Sequence, residues 1–338
     1  MGAVPHRPGP GPLRHPERSA GARREVVGGW TMRRALLRGI SAALMLVSLS
    51  AGGTQTPRPG DDWRAGLKTN ISRARQENPA TFIRFDTAAA QVDALDAKKR
   101  GTLAAVSPGL RALGPEALWP MVERLAFPPQ ETPRLPSRES ARLAFKVGLV
   151  EATGALRDLR LAPLWKSLLE SPDTQPQVLR AVAGALARLE TLDAANTLIA
   201  ASKQKDARGE AAMEALGLCR RLVATRALAD ALDARPEREV MRRLAKALGD
   251  AGSAWAWKTS GVKARSEEGA IRLVAAEALV RAYVDTDGDV RRAVSNALLR
   301  VDAPQTPTLI DAARLSAPPA QQAALDALAE RLRHNPLR

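Results

Sequence analysis

A chain of 338 residues with 45% apolar side chains can build a packed core, which excludes disorder throughout, and its 3% aromatic content with dense Ala, Leu and Arg favours closely packed helices over a sheet. The one cysteine, Cys219, excludes an intramolecular disulfide and a thiolate zinc site. The formal charge of +15 points to nucleic acid or an anionic surface until it is divided: residues 1–51 hold eight Arg against Glu17 and Glu25, or +6, leaving +9 on the other 287 residues.

In chain order, residues 1–31 are rich in Pro, Gly and Arg without apolar periodicity, which predicts a disordered leader if the segment is translated. Met32 then opens a stretch with Arg33, Arg34 and Arg38 ahead of an apolar run from Ile40 to Leu49, closed by Ser48, Ser50, Ala51 and Gly52. That order over 32–52 is a signal peptide, cleaved after Ser50 or Gly52 and too short to span a membrane comfortably, which predicts a periplasmic or secreted protein. The alternative is a buried helix in a cytoplasmic protein. Residues 53–61 read as a Gly/Thr/Pro linker. Over 62–102, two N-terminal helices, Asp61–Gln76 and Thr87–Arg100, are expected to cap the body of the chain.

From about residue 103 the sequence repeats. An Ala-Leu pair ends at Leu156, Leu186, Leu216, Leu248, Leu279, Leu298 and Leu328, with spacings of 30, 30, 32, 31, 19 and 30. Four residues before each leucine stand Ala152, Val182, Ala212, Leu244, Ala275, Val294 and Ala324, so one face of each helix is apolar. Cys219 falls in a core column of this register, and Arg331 marks a polar terminal unit. Between the anchors lie LAPLWKSLLES, DAANTLIAASKQ, ATRALADALDA and TPTLIDAARL, which supply a second helix per unit. The short spacing of 19 predicts that Ile271–Val284 is a first helix paired with Val290–Val301.

DGDVRRAVSNALLRV (287–301), EVMRRLAKALGDAG (239–252) and PQVLRAVAGALARL (176–189) resemble the second helix of the HEAT-repeat family: an acidic turn, Val-Arg, then an Ala-rich stretch. GLRALGPEALWPMVERL (109–125) is similar to the junction between two such repeats. The resemblance implies an all-α, right-handed α-solenoid of about seven stacked helix pairs over 103–334. It also implies that the second helices line a concave surface that holds a partner.

The turn YVDTDGDVRRAV raises the question of a calcium loop, since Asp285, Asp287 and Asp289 alternate. An EF-hand counted from Asp285 needs Gly at its sixth place and Glu at its twelfth, where Val290 and Asn296 stand. The expectation is that Asp287 and Asp289 cap the following helix and complement its dipole. His6, His15 and His334 lie in the tails, so the repeats offer no imidazole for a triad, a zinc site or the iron site of HEAT-like hydroxylases. No metal and no cofactor is expected.

Two features address binding. Arg180, Arg208, Arg242, Arg243, Arg272, Arg291 and Arg292 are read as standing near the starts of the second helices of the HEAT-like pairs, either as a positive ladder or paired with turn acids of neighbouring repeats. The second is the irregular stretch Gly252–Gly269, where Trp255 and Trp257, two apart, diverge by roughly 200° on a helix but share a side in an extended loop, and Lys258, Lys263 and Arg265 supply a basic rim. The reading is a non-catalytic protein-interaction scaffold with an acidic protein partner, one tryptophan buried and the other available. A nucleic-acid or other polyanion binder, which requires a cytoplasmic location, and a lyase-type enzyme accessory are the alternatives.

Overall fold

The computed structural model describes residues 62–99, 101–128, 136–259 and 264–338, all within one compact unit. The leader, signal and linker expected over 1–61, and Lys263, lie outside the described residues. Every regular element in the described residues is helical, and no helix among them is long and apolar enough to cross a membrane.

Helix α1 (Asp62–Glu77) is followed by α2 (Pro79–Ala90), α3 (Val92–Ala97) and the short α4 (Ser107–Arg111). The second N-terminal helix therefore starts at Pro79 and breaks at Gln91, a correction to the expected Thr87–Arg100. Proline is favoured in a first helical turn, where its missing N–H costs nothing, and Phe82 and Phe85, three apart, bury a face that lies ahead of the expected start at Thr87. From there the helices alternate in two layers. The first layer holds α5 (Leu118–Ala126), α7 (Ala162–Glu170), α9 (Leu192–Ser202), α11 (Leu222–Asp233), α14 (Glu268–Asp285) and α16 (Thr306–Ser316). The second holds α6 (Glu139–Ala155), α8 (Pro176–Ala187), α10 (Ala207–Leu216), α12 (Arg238–Ala251), α15 (Gly288–Val301) and α17 (Pro319–Arg333). One extra turn, α13 (Ala254–Trp257), interrupts the alternation between α12 and α14.

Each second-layer helix packs on its first-layer partner and on its neighbours in its own layer, and α14 pairs with α15 as the spacing of 19 predicts. This is an α-solenoid of stacked helix pairs, in which each unit buries its apolar stripe only against its neighbours. Leu186, Leu216, Leu248, Leu279, Leu298 and Leu328 are buried, each contributing about 1.5–3 kcal/mol on burial. Leu156, the first of the series, is the exception and lies at the surface. Alanine and glycine set the closeness of the stack. A methyl placed on Gly217 would lie 2.6 Å from the Ala247 carbonyl oxygen, and one on Gly154 would lie 2.6 Å from Ala185 Cβ, so side chains there would push successive second-layer helices apart.

Five of the helices, α6, α8, α10, α11 and α15, end by a shared device. Arg157, Glu190, Arg220, Arg235 and Asp302 adopt left-handed backbone, with φ of 53°, 55°, 47°, 51° and 43°. That conformation closes a helix but costs a non-glycine residue roughly 1–2 kcal/mol, so the surroundings must hold it. At Glu190 they do so by charge. Its fully buried carboxylate accepts from Arg157 Nη1 at 3.1 Å and Arg220 Nη1 at 3.3 Å, and Arg221 Nη1 reaches its carbonyl oxygen at 3.4 Å. One side chain thereby joins the turns that follow α6, α8 and α10.

Candidate functional site

The interruption at α13 is built from local polar contacts. The Ser253 hydroxyl accepts from Ala256 N and starts a single helical turn, on which the two indoles diverge. Trp257 turns inward against Ala251, Ile271 and Leu222, is 1% exposed, and donates from Nε1 to the Ala251 carbonyl at 3.0 Å. Trp255 turns outward and is 57% exposed. Its Nε1 donates to the Leu337 carbonyl at 2.6 Å, and Lys258 Nζ sits 4.8 Å from the ring centroid. The indole is thus fixed in place while most of its surface meets solvent.

Further contacts hold the segment to the solenoid. Glu267 accepts from Leu222 N at 2.6 Å, satisfying the first free N–H of α11 from 45 residues away, and pairs with Arg221 at 2.6 Å. Arg265 donates to the carbonyls of Trp257 at 3.0 Å and Thr259 at 2.6 Å. Its guanidinium therefore braces the segment, and the basic rim among the described residues reduces to Lys258. The physical reason is that this loop leaves its carbonyls without helical partners, and a guanidinium is the donor within reach.

The arginines near the helix starts divide into two groups. Arg242 pairs with Glu239 and with Asp289 at 3.1 Å, and Arg243 with Glu210 at 2.9 Å and Glu239 at 3.2 Å. Arg180 lies 4.0 Å from Glu214, and Arg208 donates to the Glu170 carbonyl at 3.2 Å. Arg272 binds Glu268 at 3.3 Å and the carbonyls of Val301 and Asp302 at 3.2 and 2.6 Å, which ties α14 to the end of α15. These side chains knit one repeat to the next. Arg291 and Arg292 stand apart, with no carboxylate partner among the described residues; Arg291 instead lies over the Tyr283 ring at 5.4 Å.

The aspartate turn faces the same way. Asp285 pairs with Arg235 at 2.5 Å, Asp287 with Arg238 at 2.9 Å, and Asp289 with Arg238 and Arg242. The hydrogen bond from Arg238 holds the Asp289 carboxyl below the ordinary carboxylate range. Asp287 occupies the N-cap position of α15, but its side chain makes no cap hydrogen bond, which corrects the capping expectation for that residue, while Asp289 stands in the first turn of the helix as expected. A charge-assisted bond to a guanidinium of the preceding repeat outcompetes the backbone N–H. Among the described residues no three His, Cys, Asp or Glu side chains gather as a metal site. Cys219 is buried, and burial pushes its thiol up to about 12, the pattern of an unreactive core residue.

Sequence reasoning missed Leu337 as the acceptor that fixes Trp255, Glu267 as a distant cap, and Asn296 as an acceptor for Arg331. All three contacts join residues 35 or more apart, which no local pattern displays. No family model and no curated protein matches the chain. One solved structure to which it is similar is human deoxyhypusine hydroxylase in complex with glycerol, at 15% identity and a TM-score of 0.29, over 76% of this chain and 99% of that one. What the helices themselves establish is an all-α solenoid of stacked helical repeats.

Proposed function

We propose that the chain is a non-catalytic protein-interaction scaffold built on HEAT-like repeats, exported through the segment at 32–52, with Trp255 as its contact ring. One observation carries this reading: where the helix-pair alternation breaks, two neighbouring indoles divide, and the exposed one is held by its own N–H. Tryptophan is the residue most enriched among interface hot spots, and irregular insertions in solenoids are frequent places for binding. Lys258 beside the ring favours a partner that presents an acidic group next to an apolar one.

The test is capture of a partner from native cell extract with wild-type and Trp255→Ala baits, followed by titration with the purified partner. Trp255→Ala is expected to cost less than about 1 kcal/mol of folding stability, since only a surface hydrogen bond and part of one ring are lost. It should weaken the partner by roughly thirtyfold or more, as loss of an aromatic hot spot does. Equal affinity in the two folded proteins would remove Trp255 from the interface. Export has its own measurement. The native protein should begin at Ala51 or Gly53, and recovery from the cytosol with Met1 or Met32 at its end would exclude a secreted scaffold.

A further inference from the structure

In the second layer, arginines at one helix start meet acids of the next turn: Arg238 and Arg242 on α12 reach Asp287 and Asp289 at the head of α15. Arg292 stands in the same column as Arg242, six residues before its Ala-Leu leucine, with Arg291 beside it. The turn that leads into α17 reads Ser-Ala-Pro-Pro-Ala-Gln-Gln over 316–322 and contains no acid. Among the described residues, the two arginines of α15 lack the neutralising partners that α12 has, and Asp287 and Asp289 of their own turn already face α12.

A third guanidinium joins them. Arg331 of α17 donates from Nη1 to Ser295 Oγ at 2.6 Å and from Nη2 to Asn296 Oδ1 at 2.7 Å. These neutral oxygens orient the group without cancelling its charge, and three of its five N–H donors remain. Arg291 is held over Tyr283, and its Nε is buried with no hydrogen-bond partner among the described residues. The Tyr283 hydroxyl is itself engaged, donating to the Ala324 carbonyl at 3.1 Å. Burial raises its pKa, opposed by the nearby charges of Arg291 and Arg331, so both cations act on one place. Arg291, Arg292 and Arg331 line a pocket of about 230 Å³ with no carboxylate in its wall, completed by Ala327 and Leu328.

We propose that this pocket binds a phosphate group, free or as a small monoester. Guanidinium forks match phosphate oxygens in pairs, and three of them converging without counter-charge suit a dianion better than a single carboxylate. The apolar wall of Ala327 and Leu328 leaves room for an ester carbon. The site lies on different helices from the Trp255 anchor and does not depend on it.

Calorimetric titration of the intact protein with sodium phosphate and with O-phosphoserine, at ionic strength fixed by sodium chloride, tests the assignment. Wild type should show saturable binding with a dissociation constant below about 1 mM, as three charge-assisted contacts allow. Arg292→Glu and Arg331→Gln should each weaken it about tenfold or more, while Arg180→Gln on α8 should not change it. Arg292 is exposed and supports no described contact, so its variant keeps the fold and the test intact. Tighter binding of phosphoserine assigns a monoester, and equal binding assigns the free anion. Heat that does not saturate, or unchanged affinity in Arg292→Glu, overturns the proposal.

Discussion

Trp257→Ala is expected to lower stability by about 3–5 kcal/mol, the range for emptying a buried aromatic site that cannot collapse. Trp257 is one of the largest fully buried side chains, and it fills the gap beside the extra turn α13 that interrupts the alternation between α12 and α14. Its removal also leaves the Ala251 carbonyl without the 3.0 Å indole donor. Because α12 and α14 pack on either side, the loss should spread from the C-terminal repeats rather than from α1. Urea unfolding followed by circular dichroism measures it. A change below about 1 kcal/mol would mean that the segment is not part of the core.

Glu190→Ala is expected to cost about 3 kcal/mol, the low end for removing one member of a buried ion pair. The low end applies because Arg157 and Arg220 keep 23% and 14% of their side-chain exposure while the Glu190 carboxylate has none. The variant leaves the guanidinium groups of Arg157 and Arg220, from the turns after α6 and α10, without the carboxylate between them, and the left-handed backbone at Glu190 loses what holds it. Glu190→Gln keeps an acceptor and should cost less. The urea transition of Glu190→Ala should also broaden, since a repeat array whose turns are no longer joined unfolds in parts. An unchanged midpoint would show that the arginines find other partners in solution.

The Ala-Leu register made the helices legible because a solenoid repeats one packing problem, and the same small and branched side chains solve it each time. It also placed α14 correctly in the first layer, since a spacing of 19 has no room for a further pair. The N-terminal helices were less legible. They precede the register, and the short apolar face of Phe82 and Phe85 does not extend into the polar stretch after it. The divergence of Trp255 and Trp257 follows from their spacing once Ser253 starts a helical turn, whereas an extended loop would have put both rings on one side. Which ring turns inward depends on Leu222 and Ile271, contributed by other helices. Asp287 shows the limit most clearly. Its local pattern is that of a cap, and its actual partner, Arg238, lies 49 residues earlier.

If Trp255 is the contact ring, the surface around it meets a partner while the helical stack stays unchanged. Hydrogen–deuterium exchange of the chain alone and with its captured partner measures this directly. Exchange is expected to slow in residues 253–259 and 335–338, where Trp255 and the Leu337 carbonyl meet, with the amides of α6, α8 and α10 unaffected. Protection confined to the second-layer helices, with 253–259 exchanging at its free rate, would contradict a scaffold that binds through Trp255.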